Sequence, residues 1–280
     1  MADIHWFPGH MKKALNNIIE KVKLVDVVIE ILDARAPLSS INENLQPVIA
    51  NKKRLAVFSK ADLADPTLTT LWQKKLEKDF DSLVILNLTD PKSENVLSRE
   101  VSLLGAEKHA KEKAKGMKPQ PIKAMIVGVP NVGKSSLINR IAKKRATGVQ
   151  NKPGYTRGEQ FIKVSNDFVL LDTPGVLPMS YEDKQKATKL ALIGSIREDI
   201  LPNNELCHFL LNVLRKYYPS ALKERFGLET IGEDEEVLNH IASRRGLISG
   251  GAIDIERAET LLLKEFKDGK LGRVTLDRIS

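Results

Sequence analysis

Residues 128–135 read Gly-Val-Pro-Asn-Val-Gly-Lys-Ser, a G-x-x-x-x-G-K-[ST] pattern, and its flanks restrict it to one kind of fold. An apolar run, Ile122–Val127, precedes it as a strand, and Lys134–Ala142 follows at helical spacing. The first backbone N–H groups of such a helix have no partner within it. With the helix dipole they form a cradle for anions, and the glycines let phosphates approach the backbone. Asn131, Val132, Gly133, Lys134, Ser135 and Ser136 are therefore expected to bind a nucleoside triphosphate. Lys134 places its charge on the β/γ oxygens, and Ser135 offers a hydroxyl to Mg²⁺.

The rest of the chain fits a layered α/β domain around this loop. Met11, Leu15, Ile18, Ile19, Val22 and Val25 recur at helical spacing, and Val27–Leu32 reads as a strand buried on both faces. Leu55–Phe58 and Leu83–Leu88 read as further strands, Leu68–Phe80 as a helix, and Phe161–Val164 with Phe168–Leu171 as a strand pair. Ser93–Lys115 is helical and runs into Gly116-Met117-Lys118-Pro119-Gln120-Pro121, where a glycine and two prolines mark a connector. Beyond Pro178 strand signals fade and helical patterns are spaced by Pro202, Pro219, Gly227 and Gly246. The expected architecture is a mostly parallel sheet with helices on both faces over residues 1–177, then a smaller all-α domain over 178–280.

Two further segments point to guanine as the base. Phe168–Leu171 leads into Asp172-Thr173-Pro174-Gly175, a D-x-x-G in which Asp172 suits the Mg²⁺ side and Gly175 offers its N–H to a γ-phosphate. Between the two motifs, Thr156 sits in Pro153–Gly158, placed to ligate the metal only while the γ-phosphate is present. Ser59-Lys60-Ala61-Asp62 ends a strand: Asp62 accepts from N1–H and N2–H₂ of guanine, and the Lys60 stem lies along the ring. Ser59 stands where GTPases usually carry Asn, a shorter reach toward the phosphate loop, and Asn87-Leu88 offer backbone groups to the base.

Composition narrows the remaining classes. Nothing approaches the roughly 18 consecutive apolar residues of a membrane helix, so no membrane span is expected. The opening segment lacks a charged-then-apolar export pattern, and Cys207 is the single cysteine, so a reducing, cytoplasmic setting is expected. The scattered histidines and Cys207 make no metal-ligand spacing. The net charge is +8, with six basic and no acidic residues over Asn139–Arg157 and six lysines against two glutamates over Gly105–Lys123. Nucleic acid is the leading partner for such stretches, a solvated lysine surface the alternative.

The order of the motifs is unusual, because the base-reading Ser59–Asp62 precedes the phosphate loop. A parallel sheet gathers its ligand loops at the strands' carboxyl ends in any chain order, provided a connector joins the old termini; Gly105–Lys123 is placed to do so. With this order the chain resembles the circularly permuted GTPases of the ribosome biogenesis GTPase A family. The resemblance is carried by Trp6-Phe7-Pro8-Gly9-His10-Met11, Asp33-Ala34-Arg35-Ala36-Pro37, Ser59–Asp62 and the phosphate loop, and further on by Asn151–Gly154 with Thr156, Asp172–Gly175 and Gly269–Arg273. Ser59 and the Leu88-Thr89 pair depart from that pattern.

The resemblance implies a P-loop GTPase acting in late assembly of the large (50S) ribosomal subunit, with a helical C-terminal domain that touches ribosomal RNA. A monomer is expected. A likeness to potassium-stimulated GTPases implies that Asn131 helps bind K⁺, the alternative being an amide that braces the loop. Val176 follows D-x-x-G where many GTPases carry a water-orienting glutamine, so slow intrinsic turnover is expected. His10, K⁺ or the ribosomal partner is left to position the water, and the competing role for His10 is a structural bond in the Pro-Gly turn. Asp33-Ala34-Arg35 either braces the fold or approaches the switch region. Two rival functions are an RNA-binding assembly factor with a nearly inactive nucleotide site, and a GTPase of transfer RNA or signalling.

Overall fold

The structure is a computed structural model that describes residues 9–88, 90–139, 161–171, 176–177, 183–197 and 200–279, with the side chains of residues 9–11 outside the description. The chain opens with α1 (Gly9–Lys21), β1 (Val27–Asp33), the short α2 (Gln46–Ile49), β2 (Lys53–Ser59), α3 (Pro66–Leu76) and β3 (Ser82–Ile85). It continues through α4 (Ser93–Leu104), α5 (Ala106–Ala114), β4 (Ile122–Val127), α6 (residues 134–139), β5 (Phe161–Lys163) and β6 (Phe168–Leu171). Then come α7 (Lys184–Leu192), α8 (Asn203–Tyr217), α9 (Pro219–Phe226), α10 (Asp234–Arg244), β7 (Ile248–Ser249), β8 (Ala252–Ile253) and α11 (Ile255–Lys267).

Among the described residues six strands form one sheet in the order β3-β2-β1-β4-β6-β5, parallel throughout except for β5. The period-2 geometry of a strand explains why β1 is apolar with hardly a break. Val27, Ile29 and Ile31 join the core on one face with Leu97 and Val101 of α4, while Val28 joins Ala14, Leu15 and Ile18 of α1 on the other. Leu32 and Phe58 meet Trp72 of α3 in a third cluster. The one charge within the run, Glu30, is buried against Arg54 and Gln46; burial pushes its carboxyl above the ordinary range despite the guanidinium beside it.

Several elements end where local chemistry stops them rather than where periodicity does. The helix expected over Leu68–Phe80 starts at Pro66, capped by the Asp65 carboxylate on the N–H groups of Thr67 and Leu68, and tightens into a 3₁₀ turn at Glu77–Asp79. The strand expected over Leu83–Leu88 stops at Ile85, although Leu86 still donates to the Phe58 carbonyl. The helix expected over Ser93–Lys115 divides at Gly105, where a Cβ would lie 2.3 Å from Ile122 Cδ1, so only glycine allows this approach to β4. The region after Pro178 is helical but not purely so, because β7 and β8 form a small antiparallel hairpin.

The C-terminal helices share the large core: Leu190, Leu210 and Leu262 belong to the same cluster as Ile29 and Leu55. Asp33 and Arg35 pin that packing and take the bracing role. Arg35 is 2% exposed, and its guanidinium bonds to both Asp33 oxygens at 3.0 and 2.8 Å. It also donates to the carbonyls of Ile193 (3.3 Å) and Lys267 (3.4 Å), with Phe266 beneath it. Burial would raise the Asp33 carboxyl, but Arg35 and the Lys60 ammonium outweigh it and hold the group below the usual carboxylate range.

Arg35→Ala therefore leaves a buried carboxylate with only the Lys60 ammonium and the backbone N–H of residue 35, and about 3 kcal/mol of stability is lost in urea unfolding. Because the folded-state pKa of Asp33 is depressed, its contribution is present above about pH 4, the unfolded value, and disappears as pH falls through the folded one. The variant's stability accordingly falls less steeply with acid than the parent's. An equal acid slope in both proteins would contradict this account.

Candidate nucleotide site

The parallel strands bring their carboxyl ends to one edge of the sheet, and the loops leaving β1, β2, β3 and β4 meet there. The phosphate loop leaves β4 at Gly128, whose φ is +151; a Cβ there would stand 2.6 Å from the Ile31 carbonyl oxygen of β1. Gly133 has φ +103 and Asn131 φ +60, so the loop curls with left-handed residues before α6 begins. Ser135 and Ser136 are exposed at the start of α6, while Val132 is buried in the core beneath. Lys134 is 6% exposed, and its ammonium lies across the loop, donating to the carbonyls of Gly128 (3.1 Å) and Val129 (2.7 Å).

The base-reading segment leaves β2 beside it. Lys60, at φ +53, donates from Nζ to the Asn131 carbonyl at 2.7 Å and pairs with Asp33 Oδ2 at 3.0 Å. This single side chain joins two loops separated by 71 residues in sequence. Ala61 is partly buried and Asp62 exposed. Ser59 is turned away: its hydroxyl is buried and donates to the Leu32 carbonyl at 3.0 Å. The brace for which Ser59 has too short a reach comes from Lys60 instead. On the neighbouring loop Asn87 is exposed, its carbonyl accepting from the Ser93 hydroxyl, while the Leu88 side chain is packed into the core.

Asn131 has a partner that no local pattern announces. Its amide donates to the Gly194 carbonyl at 2.6 Å, and the Ser195 hydroxyl donates to the Pro130 carbonyl at 2.8 Å. The turn after α7 thus holds the phosphate loop from outside the sheet. Gly194, at φ +80, was the available signal, but a glycine after a helix ordinarily reads as a C-cap. Val176 is fully buried; its N–H meets the Gly128 carbonyl at 3.3 Å and its carbonyl accepts from Asn42 at 2.8 Å, so its side chain is packed away from solvent.

Thr156, Asp172 and Gly175 lie outside the described residues, as does most of the basic Asn139–Arg157 stretch. His10 stands in the first turn of α1, with its side chain outside the description. The Ser135 hydroxyl at a helix start suits Mg²⁺, a hard cation that takes oxygen ligands. Among the described residues no cluster of His, Cys, Asp and Glu offers another metal site. Cys207 is buried and its thiol pushed far up by desolvation, which makes it inert. No helix among the described residues is long and apolar enough to cross a membrane.

The chain is similar to known proteins in sequence and in fold. Residues 123–245 match the family described as 50S ribosome-binding GTPase. A ribosome biogenesis GTPase A of Bacillus cereus is 42% identical, over 98% of this chain and 93% of its own length. Among solved structures, the GDP-bound TM YlqF superposes with TM-score 0.66 at 27% identity, covering 94% of this chain and 98% of that one. The GNP-bound YlqF from T. maritima gives TM-score 0.65 at 27% identity, covering 95% and 98%.

Proposed function

The chain belongs to the ribosome biogenesis GTPase A family, and from that premise we propose that it hydrolyses GTP as a checkpoint on late maturation of the large ribosomal subunit. The observation that carries this reading is the Lys60 bridge, which sets a guanine-type carboxylate loop beside a phosphate loop on one sheet edge. Asp62 reads the base with help from the Asn87-Leu88 backbone. The N–H groups of residues 131–136 and the Lys134 ammonium hold the phosphates. Ser135, with Thr156 and Asp172, would hold Mg²⁺, which would supply positive charge to the phosphates.

Val176 cannot orient water, which supports slow intrinsic turnover and activation from outside. The ribosomal partner, K⁺ held near Asn131, and His10 are the groups proposed to complete the site. The helical region, residues 178–280, contacts ribosomal RNA. In sequence Asp172–Gly175 is followed directly by the buried Val176 and then by α7, and the turn after α7 grips Pro130 and Asn131, which supports transmission of γ-phosphate loss to that region. GTP favours the bound subunit precursor and GDP the released protein, which acts as a monomer in the cytoplasm.

Multiple-turnover GTP hydrolysis with and without purified large subunits, in potassium and in sodium buffer, tests this. Turnover rises at least about tenfold with subunits and further in potassium, and the protein pellets with free large subunits under a non-hydrolysable GTP analogue but not under GDP. Unstimulated, sub-stoichiometric turnover favours instead an RNA-binding factor with an almost silent site, a reading that Val176 alone supports. Failure to pellet with free large subunits would point to transfer RNA or signalling.

A further inference from the structure

We infer that Arg273, 211 residues beyond Asp62 in the chain, is a positioning residue for guanine selection: it holds the base-reading loop in the shape that aims the Asp62 carboxylate. Its guanidinium donates from Nε to the Ala64 carbonyl and from Nη2 to the Ala61 carbonyl, both at 2.9 Å. These are the carbonyls on either side of Asp62 and Leu63. The next residues continue the grip, with the Val274 N–H on the Leu63 carbonyl at 3.0 Å and the Asp65 N–H on the Thr275 hydroxyl at 3.0 Å.

The loop has little of its own to resist displacement. Within it, Leu63 donates to the Lys60 carbonyl at 2.9 Å, and Ala64 makes only a long 3.4 Å contact with Ala61. The gripping segment, by contrast, is firmly anchored. Leu276 donates to the Arg35 carbonyl at 2.7 Å, and the buried Asp277 carboxylate accepts from the Ser39 N–H, the Ser39 hydroxyl and the Lys189 ammonium. Trp72 of α3 donates to the Asp277 carbonyl at 3.2 Å. At the other end Gly269 approaches Leu63 so closely that a Cβ would lie 2.6 Å from its Cδ2. A planar fork is what two carbonyls three residues apart require, and an ammonium can serve only one of them fully.

A carboxylate that accepts two hydrogen bonds from one base edge must be held to within about half an ångström, so loosening the loop erodes selectivity before it erodes phosphate binding. The inference rests on the reading of Asp62 as the guanine contact, and inosine triphosphate, which lacks the 2-amino group, tests the two separately. Affinities for GTP and ITP are measured on the full chain carrying Arg273→Ala, Arg273→Lys or Asp62→Ala, together with kcat at saturating GTP. Arg273→Ala lowers the GTP-to-ITP preference about three- to tenfold, as loss of two charge-assisted bonds at a partly exposed site implies, and Arg273→Lys recovers part of it. Saturated kcat stays within about twofold in both, a split that general destabilisation would not produce. A parental GTP-to-ITP ratio in both Arg273 variants, with the ratio collapsed in Asp62→Ala, overturns the role of Arg273 alone. A parental ratio in Asp62→Ala overturns the reading of Asp62 and this inference with it.

Discussion

Lys134→Ala lowers single-turnover GTP hydrolysis by about two to three orders of magnitude, even with large subunits present. The size of the effect follows from where the ammonium sits. It is 6% exposed, enclosed by its own loop and held by the Gly128 and Val129 carbonyls, so its charge acts where water screens it little. Phosphoryl transfer spreads negative charge over the phosphate oxygens, and the protein contributes by opposing that charge from a fixed position. Water replacing the lysine offers dipoles that must reorient at each turnover. Lys134→Arg does not rescue, because a broad guanidinium cannot occupy the space of a compact ammonium inside so tight a loop. Single-turnover rates at saturating GTP measure the effect, with the alanine variant's thermal unfolding checked against the parent. A rate within about tenfold of the parent would mean that the loop's N–H groups and the metal neutralise the phosphates without Lys134.

What could be read from the residues was whatever repeats or keeps a fixed spacing. Val27–Leu32 announces a strand buried on both faces, the glycines at 128 and 133 announce a phosphate loop, and strand-end placement assigns Ser59–Asp62 to the same edge of the sheet. Family membership and the mostly parallel sheet followed from motifs of that kind. What could not be read are bonds between irregular segments distant in sequence. Lys60 to Asn131, Asn131 to Gly194, Ser195 to Pro130 and Arg273 to Ala61 each join a side chain to a backbone carbonyl 63 or more residues away. A carbonyl leaves no mark in sequence, because every residue has one. Ser59 shows the same limit from the other side: the sequence suggests a weakened brace, but only the fold reveals that the hydroxyl turns to Leu32 and that Lys60 spans the gap. Asp33 and Arg35 are visible as charges at a strand end, yet their burial appears only once α7 and α11 close over them.

Asp62→Asn exchanges the preferred nucleotide from GTP to xanthosine triphosphate. Guanine presents two donors on this edge, N1–H and the 2-amino group, and a carboxylate accepts both; an amide offers one acceptor and one donor, so the 2-amino group meets another donor. One charge-assisted hydrogen bond is replaced by a donor–donor clash and the other is weakened to a neutral one, a loss on the order of 3 kcal/mol, or about a hundredfold in GTP affinity. Xanthine carries an oxygen at the same carbon, which the asparagine amide can donate to while its carbonyl accepts from N1–H. The swap is nearly isosteric, and the surrounding bonds run to the loop's backbone rather than to the Asp62 side chain, so folding is unaffected. Competition between the two nucleotides for the parent and the variant measures the exchange, and subunit-stimulated turnover in the variant should then require xanthosine triphosphate. A variant that weakens for GTP without gaining xanthosine triphosphate would show that Asp62 only shapes the loop. One that still prefers GTP would move base reading to the neighbouring Asn87-Leu88 turn.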